Sequence, residues 1–310
     1  MDGVTKAGRG ASSRPARLPG LRRALAPLPW LAPSLLLVGA VVLWPVVEMV
    51  RTSLLDISSS GTTLGGAGTS NYTDLFDEPD LWPVLGRTLL WVAGVVVAAT
   101  VLSLALGQLL HARFPGRRAV RWAVIVPWAA SVLMTALIWR WMLDNDSGVI
   151  NRVLLDLGVL DKPVNWLAHP AQALLWMMGV AVFVTLPFTS FVILAGLQSI
   201  PDDVYEAARV DGASAWTTYF RITLPLLRPS LLIGTIVNVI NVFNNFPIIW
   251  SMTQGGPGHA TDITTTFTYK IAFFDKHVGE SAAMAVVNFL LILLMVLLYL
   301  RAVRRPGARA

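Results

Sequence analysis

Six stretches of about twenty apolar residues recur along the chain, over 30–50, 85–110, 120–143, 173–197, 231–250 and 282–300. None shows the one-sided stripe of a helix on a soluble core or the strict alternation of a half-buried strand. Each is apolar all round, and each is long enough to cross a hydrocarbon layer of roughly 30 Å. Backbone polar groups in lipid must be satisfied within their own segment, so the pattern predicts six transmembrane helices and an all-α polytopic membrane protein. Pro45, Pro127, Pro187 and Pro247 fall inside these stretches. Packed membrane helices tolerate such prolines, which blur the boundaries but leave the count at six.

Between the fourth and fifth stretches the pattern changes. Pro201 followed by Asp202 and Asp203 starts a helix, Gly212 ends it, and Ser214 can cap a second short helix through Phe220. Pro225 restricts Leu224 and closes that second helix. The product is a helix–glycine–helix elbow, with Glu206 as an anionic group and the small Ala207 and Ala208 beside it.

Composition confirms the solvent. Of 310 residues 55% are hydrophobic and only 14% charged, where a soluble domain carries about 25%, and mean hydropathy is +0.63. The net charge of +6 comes without an aromatic-interleaved basic patch, which excludes nucleic acid as the partner. Seventeen of the 24 Lys and Arg residues lie in 1–29, around 112–121, in 199–230 and beyond 300. By the positive-inside rule both termini and the 199–230 loop are cytoplasmic, while 51–84, 144–172 and 251–281 face outward. Residues 1–29 read as a flexible basic tail before an uncleaved first span, and 303–310 as a basic cytoplasmic C-terminus. The absence of cysteine excludes disulfides, thiolate metal sites and a cysteine nucleophile. The four histidines lack metal-ligand spacing, so no metal site is expected.

Glu206-Ala207-Ala208, three residues, Gly212, nine residues, Ile222, one residue and Leu224-Pro225 match at seven positions the EAA loop of permease subunits of ATP-binding-cassette importers. The chain resembles that family over roughly 85–302, the type I (MetI-like) membrane domain, with the first span as an N-terminal addition seen in sugar permeases. The resemblance implies that the loop over 199–226 docks in a cleft of a cytoplasmic ATPase dimer, with Glu206, Ala207, Ala208, Asp211 and Gly212 as coupling residues. It implies that a second permease completes the pathway and that an extracytoplasmic solute-binding protein delivers the solute in a bacterial plasma membrane. ATP and magnesium belong to the ATPase: no G-x-x-x-x-G-K-[ST] loop and no Gly-Lys pair occurs here, so no cofactor and no enzymatic activity is expected of this chain. The Thr253-x-Gly255-Gly256-Pro257 segment resembles one common in the larger, MalF-like half of such heterodimers, whose smaller partner is MalG-like.

Asn238, Asn241 and Asn245 fall at i, i+3 and i+7 in the fifth span, with Asn244 and Phe243 beside them. Amides both donate and accept, as sugar hydroxyls require, and aromatic faces suit a pyranose ring. These five residues are therefore the expected substrate pathway, with interhelical bonding as the structural alternative. A di- or oligosaccharide such as maltose or trehalose is the expected solute, with glycerol 3-phosphate or another small polar solute as alternative. A membrane-embedded transferase would need convergent catalytic groups, and a secondary transporter internal repeats and midplane ionisable residues; none is evident.

Overall fold

A computed structural model describes residues 28–303. All but two residues of the predicted 1–29 tail, and all but the first of the 303–310 segment, lie outside that range. The chain divides into two compact units, one ending at Glu48 and one beginning at Met49. The described part of the first unit is helix α1 (28–52), whose last residues belong to the second unit. This helix is α-helical over Leu28–Val38, widens to a π turn over Gly39–Leu43 and is α-helical again over Trp44–Thr52.

The second unit continues with a small antiparallel hairpin, β1 (Leu55–Ile57) and β2 (Thr63–Gly66), and with α2 (Ser70–Asp77). Then come α3 (Leu81–His111), α4 (Arg117–Trp128), α5 (Val132–Met142), α6 (Val149–Asp156) and α7 (Pro170–Gln198). The chain closes with α8 (Asp202–Val210), α9 (Ala215–Leu226), α10 (Arg228–Phe243), α11 (Phe246–Met252), α12 (Thr264–Phe273) and α13 (Val278–Val303).

Four helices among the described residues are long and apolar enough to cross a membrane: 30–52, 81–111, 170–198 and 278–301. The all-α polytopic class stands, but two predicted spans are not continuous. The third divides at residues 129–131, where Pro127 has no N–H to donate and Ser131 adopts an extended conformation before α5. The fifth divides at Asn244 and Asn245, because Pro247 occupies the first turn of a new helix. A bend of 65° at Leu227 also joins α9 to α10, so this part of the chain is a bent pair.

The prolines sort by their surroundings. Pro45 and Pro225 each stand two residues after a π turn, over Gly39–Leu43 and Tyr219–Thr223. The extra residue of a π turn widens the backbone ring and absorbs the missing N–H, so the helix runs on. Consequently Pro225 does not close the second helix of the elbow: Leu224 stays helical, and the helix ends at Leu226. Pro187 remains inside α7, where Ser103 of α3 donates to Leu186 O at 3.4 Å.

α3 and α7 run parallel, with residues 94, 103 and 107 facing 178, 186 and 190–193. α10 returns antiparallel to α7, and Gly196 lets Ser230 and Leu227 approach so closely that a methyl there would overlap them. The main core lies among α3, α5, α7, α10 and α11, around Trp91, Val95, Ala136, Met177, Phe243 and Ile249. Trp91 Nε1 donates to Val242 O at 2.9 Å, so the largest buried ring also satisfies its polar handle. A second cluster, Leu75, Leu81, Val84, Phe267, Ile271 and Met284, closes the end bearing the hairpin. A third, Ile193, Leu197, Ile200 and Leu227, closes the opposite end beneath the elbow.

Candidate functional site

The elbow is built from its caps. Pro201 is the N-cap of α8, Asp202 and Asp203 fill the first turn, and Arg209 stands in the last, which sets charges of the right sign at both ends of the dipole. At the C-terminus Gly212 N–H donates to Arg209 O at 3.1 Å and Ala213 N–H to Ala208 O at 2.9 Å, the paired bonds of a Schellman closure. Gly212 has φ +73°, a conformation that a residue with a Cβ resists. Ser214 Oγ then accepts from Thr217 N at 3.2 Å and caps α9, as the sequence indicates.

Exposure divides α8 into two faces. Val204 and Tyr205 pack on the cluster of Ile193, Leu197, Ile200 and Leu227, and Ala208 is 4% exposed beside them. Glu206, Ala207, Val210, Asp211 and Gly212 lie outward. The expectation that both alanines serve a docking surface is therefore corrected: Ala208 belongs to the inner face, one turn after Val204, and only Ala207 is offered. Two exposed residues were missed by the sequence reading, Val210 on the outer face of α8 and Trp216 on α9, which lines a hollow with Val101 and Gln108 of α3. Val210 is 88% exposed and Trp216 74%, and the Trp216 ring stacks nearly parallel to that of Phe220, with centroids 5.4 Å apart. The i, i+4 spacing of Glu206 and Val210 was the available signal.

The asparagines do not share one helical face. Asn238 is buried and donates through Nδ2 to Thr189 Oγ1 of α7 at 2.7 Å, an interhelical bond. Asn245 is buried as N-cap of α11, its Oδ1 accepting from Ile248 N at 3.4 Å. Because the helix ends between Asn241 and Asn245, the i, i+7 relation predicted from the sequence does not exist. Phe243 is fully buried in the main core, so its ring has no open face. Asn241 and Asn244 are exposed, and Asn244 Nδ2 donates to Ile240 O at 2.9 Å. After the break, Phe246, Trp250 and Tyr269 form a half-exposed aromatic group with centroids 4.8–5.3 Å apart.

The Thr253-x-Gly-Gly-Pro segment closes over a buried carboxylate. Asp262 Oδ2 accepts from Lys270 Nζ at 2.6 Å and lies 2.8 Å from His259 Nδ1. Arg87 Nη1 of α3 donates to His259 O and Asp262 O, both at 2.8 Å. Gly255, at φ +77°, lies against that carboxylate, and a methyl there would overlap it. Thr253 and Thr261 hydroxyls, 2.8 Å apart, tie the two ends of the loop. Arg140 is exposed and donates through Nη1 to Ser251 O at 2.9 Å, near the C-terminus of α11.

The family model described as "Binding-protein-dependent transport system inner membrane component" matches residues 81–306. A probable ABC transporter permease protein of Brucella suis biovar 1 is 42% identical over 87% of this chain and 93% of its own length. The trehalose/maltose transport system permease protein MalF of Thermococcus litoralis is 35% identical over 76% of this chain and 79% of its own. In fold, the chain is similar to a bacterial alginate ABC transporter crystallised with an alginate pentasaccharide-bound periplasmic protein. The TM-score is 0.78 at 21% identity, over 92% of this chain and 97% of that one.

Proposed function

Since the chain belongs to the family of binding-protein-dependent transport system inner membrane components, we propose that it forms half of the pathway of an ATP-driven carbohydrate importer. Its partners in this reading are a second permease, a cytoplasmic ATPase dimer and an extracytoplasmic solute-binding protein. The observation that carries it is the elbow: a short helix anchored on its inner face, locked at Gly212, and offering Glu206, Ala207, Val210 and Asp211 to solvent at the end of a membrane bundle. Such a rigid, exposed corner can pass a push from a soluble motor to α9 and α10 without deforming. Carbohydrate as the solute is supported by the trehalose/maltose relative and by the alginate complex.

Two substitutions test the coupling. Glu206→Lys changes the charge of an exposed side chain and should cost the ATPase contact about 1–3 kcal/mol while leaving the fold intact. Gly212→Pro demands φ near −65° where the elbow needs +73°, and should abolish the closure. Co-purification of the ATPase and solute uptake are the readouts; normal values of both in both variants would remove the assignment. The same reading places the elbow and both termini in the cytoplasm. Ser214→Cys should then be labelled by an impermeant thiol reagent only from inside and Ser60→Cys only from outside, both positions being exposed in a chain without other cysteines.

The break in the fifth span divides the asparagines into two roles. Asn241, whose exposed amide carries no hydrogen bond within the described residues, is the residue proposed to meet sugar hydroxyls, with Asn244 beside it. Asn241→Ala should lower carbohydrate uptake at unchanged assembly. Asn238→Leu should instead lower assembly by loss of the Thr189 bond, about 0.6–2 kcal/mol. Equal uptake per assembled complex in Asn241→Ala would exclude it from the pathway.

A further inference from the structure

The turn from α3 to α4 carries Arg113, Arg117, Arg118 and Arg121 within nine residues, with no acidic residue among them. With Phe114, Pro115 and Gly116 they line an open hollow of about 750 Å³ whose walls hold no carboxylate. Among the described residues none of the four arginines is in a salt bridge. Their bonds run only to the last carbonyls of α3: Arg121 Nη2 to Leu110 O at 3.3 Å, and Arg117 Nη1 to His111 O and Ala112 O at 3.5 Å. Arg121 Nε is enclosed without a hydrogen-bond partner among the described residues. Each guanidinium presents five donors, so most of the donor capacity around the hollow is unused, and no carboxylate lines this hollow against the four like charges.

The surroundings indicate what neutralises them. α4 leaves the turn with Trp122 and Val126 exposed one helical turn apart, and Trp128 exposed at its end. In a chain that spans a membrane, such an apolar surface faces acyl chains, and tryptophan sits where chains meet headgroups. The hollow is therefore at the depth of the lipid phosphates. The geometry points to a binding site for an anionic phospholipid: its phosphate diester is held by Arg117, Arg118 and Arg121, and an acyl chain lies along Trp122 and Val126. Forked guanidinium donors match phosphate oxygens two at a time, which a diffuse counterion cloud does not do. Arg113 and Arg117 also border a second hollow, of about 790 Å³, together with Asp202, Glu206 and Arg209 of the elbow. A bound phosphate thus sets the charge beside the elbow, and the lipid composition of the membrane reaches the coupling surface through shared side chains.

The test uses the full chain purified with its partner subunits and reconstituted in nanodiscs of phosphatidylcholine with 30 mol% phosphatidylglycerol, about one lipid in three, so that the anionic species is available but not dominant. Lipids retained through native mass spectrometry are counted. One charge near an anionic surface is worth about fivefold in binding, so R118Q should reduce phosphatidylglycerol retention about fivefold and R117Q/R118Q roughly 25-fold. R117K/R118K keeps the charge and loses the forks, so its retention should fall between that of the unsubstituted protein and that of R117Q/R118Q. Arg118 is exposed and its side chain makes no bond among the described residues, so R118Q reports on binding even where the double variant folds poorly. Retention of the two lipids in their bilayer proportion by the unsubstituted protein would overturn the site, as would retention unaffected by R118Q. Saturable binding of inorganic phosphate without lipid enrichment would assign the cluster to a soluble anion. Loss of ATPase association from R118Q in lipid-free detergent would assign it to an acidic protein face. Either result overturns the lipid proposal.

Discussion

Asp262→Ala should destabilise the chain by about 3–5 kcal/mol and release the 253–262 loop to protease, because it removes the carboxylate from a buried charge cluster. Asp262 is fully buried and takes Lys270 at 2.6 Å, while His259 stands at 2.8 Å. Lys270, largely buried itself, would keep only the carbonyl of Gly258 at 2.9 Å. Asp262→Asn keeps the shape and loses the charge, so it separates the two contributions: a milder loss than Ala identifies packing, an equal loss identifies charge. Gly255→Ala attacks the same contact from the other side, since its methyl would overlap the carboxylate and its φ of +77° is a left-handed conformation. Thermal unfolding in detergent and limited proteolysis read all three. An unfolding midpoint for Asp262→Ala equal to that of the unsubstituted chain would show that the cluster contributes nothing to stability.

That cluster also marks where sequence reading stops. Arg87, His259, Asp262 and Lys270 are joined by packing of α3 and α12 against one loop, and no local pattern connects residue 87 with residue 262. The apolar runs were legible because lipid demands length and uniform hydrophobicity, and α1, α3, α7 and α13 follow them closely. The breaks were not legible, because the fate of a membrane proline depends on whether neighbours or a π turn absorb its missing N–H. Pro45, Pro187 and Pro225 continue their helices, whereas Pro127 and Pro247 stand at interruptions. The elbow was readable from Pro201, Gly212 and Ser214, since caps are local chemistry. Its inner face was readable in principle from Val204, Tyr205 and Ala208 at i, i+1 and i+4, yet a motif that groups Ala207 with Ala208 hides that they point to different sides. The asparagine face assumed an unbroken helix through residue 245, and within α10 the sequence did not show that Asn238 turns to Thr189 and Phe243 to the core while Asn241 stays exposed.

Asn151→Ala should have the other large effect, unfolding the 143–169 segment while the long helices remain. Asn151 is buried, and its side chain makes five bonds across that segment. Nδ2 donates to Val164 O at 2.9 Å, Asn145 O at 3.1 Å and Asp144 O at 3.3 Å; Oδ1 accepts from Trp166 Nε1 at 2.9 Å and Val164 N at 3.2 Å. Removing the amide strands two donors and three acceptors; at about 1–3 kcal/mol for each group that water cannot reach, two such groups alone cost about 2–6 kcal/mol. Asn151→Asp keeps both accepted bonds but turns a charge toward three carbonyls, so it should be nearly as damaging. A pH dependence accompanies this segment. The backbone N–H of Ser147, its hydroxyl and the N–H of Asp146 hold the Asp144 carboxyl below its usual range. Its contribution is therefore present above the unfolded-state value and is lost as pH falls through the lower folded-state value. Hydrogen exchange should show the amides of 144–166 losing protection in Asn151→Ala while those of α3 and α7 keep theirs. Unchanged protection of Val164 N–H would mean that water replaces the amide at no cost, and the five bonds would then carry no structural weight.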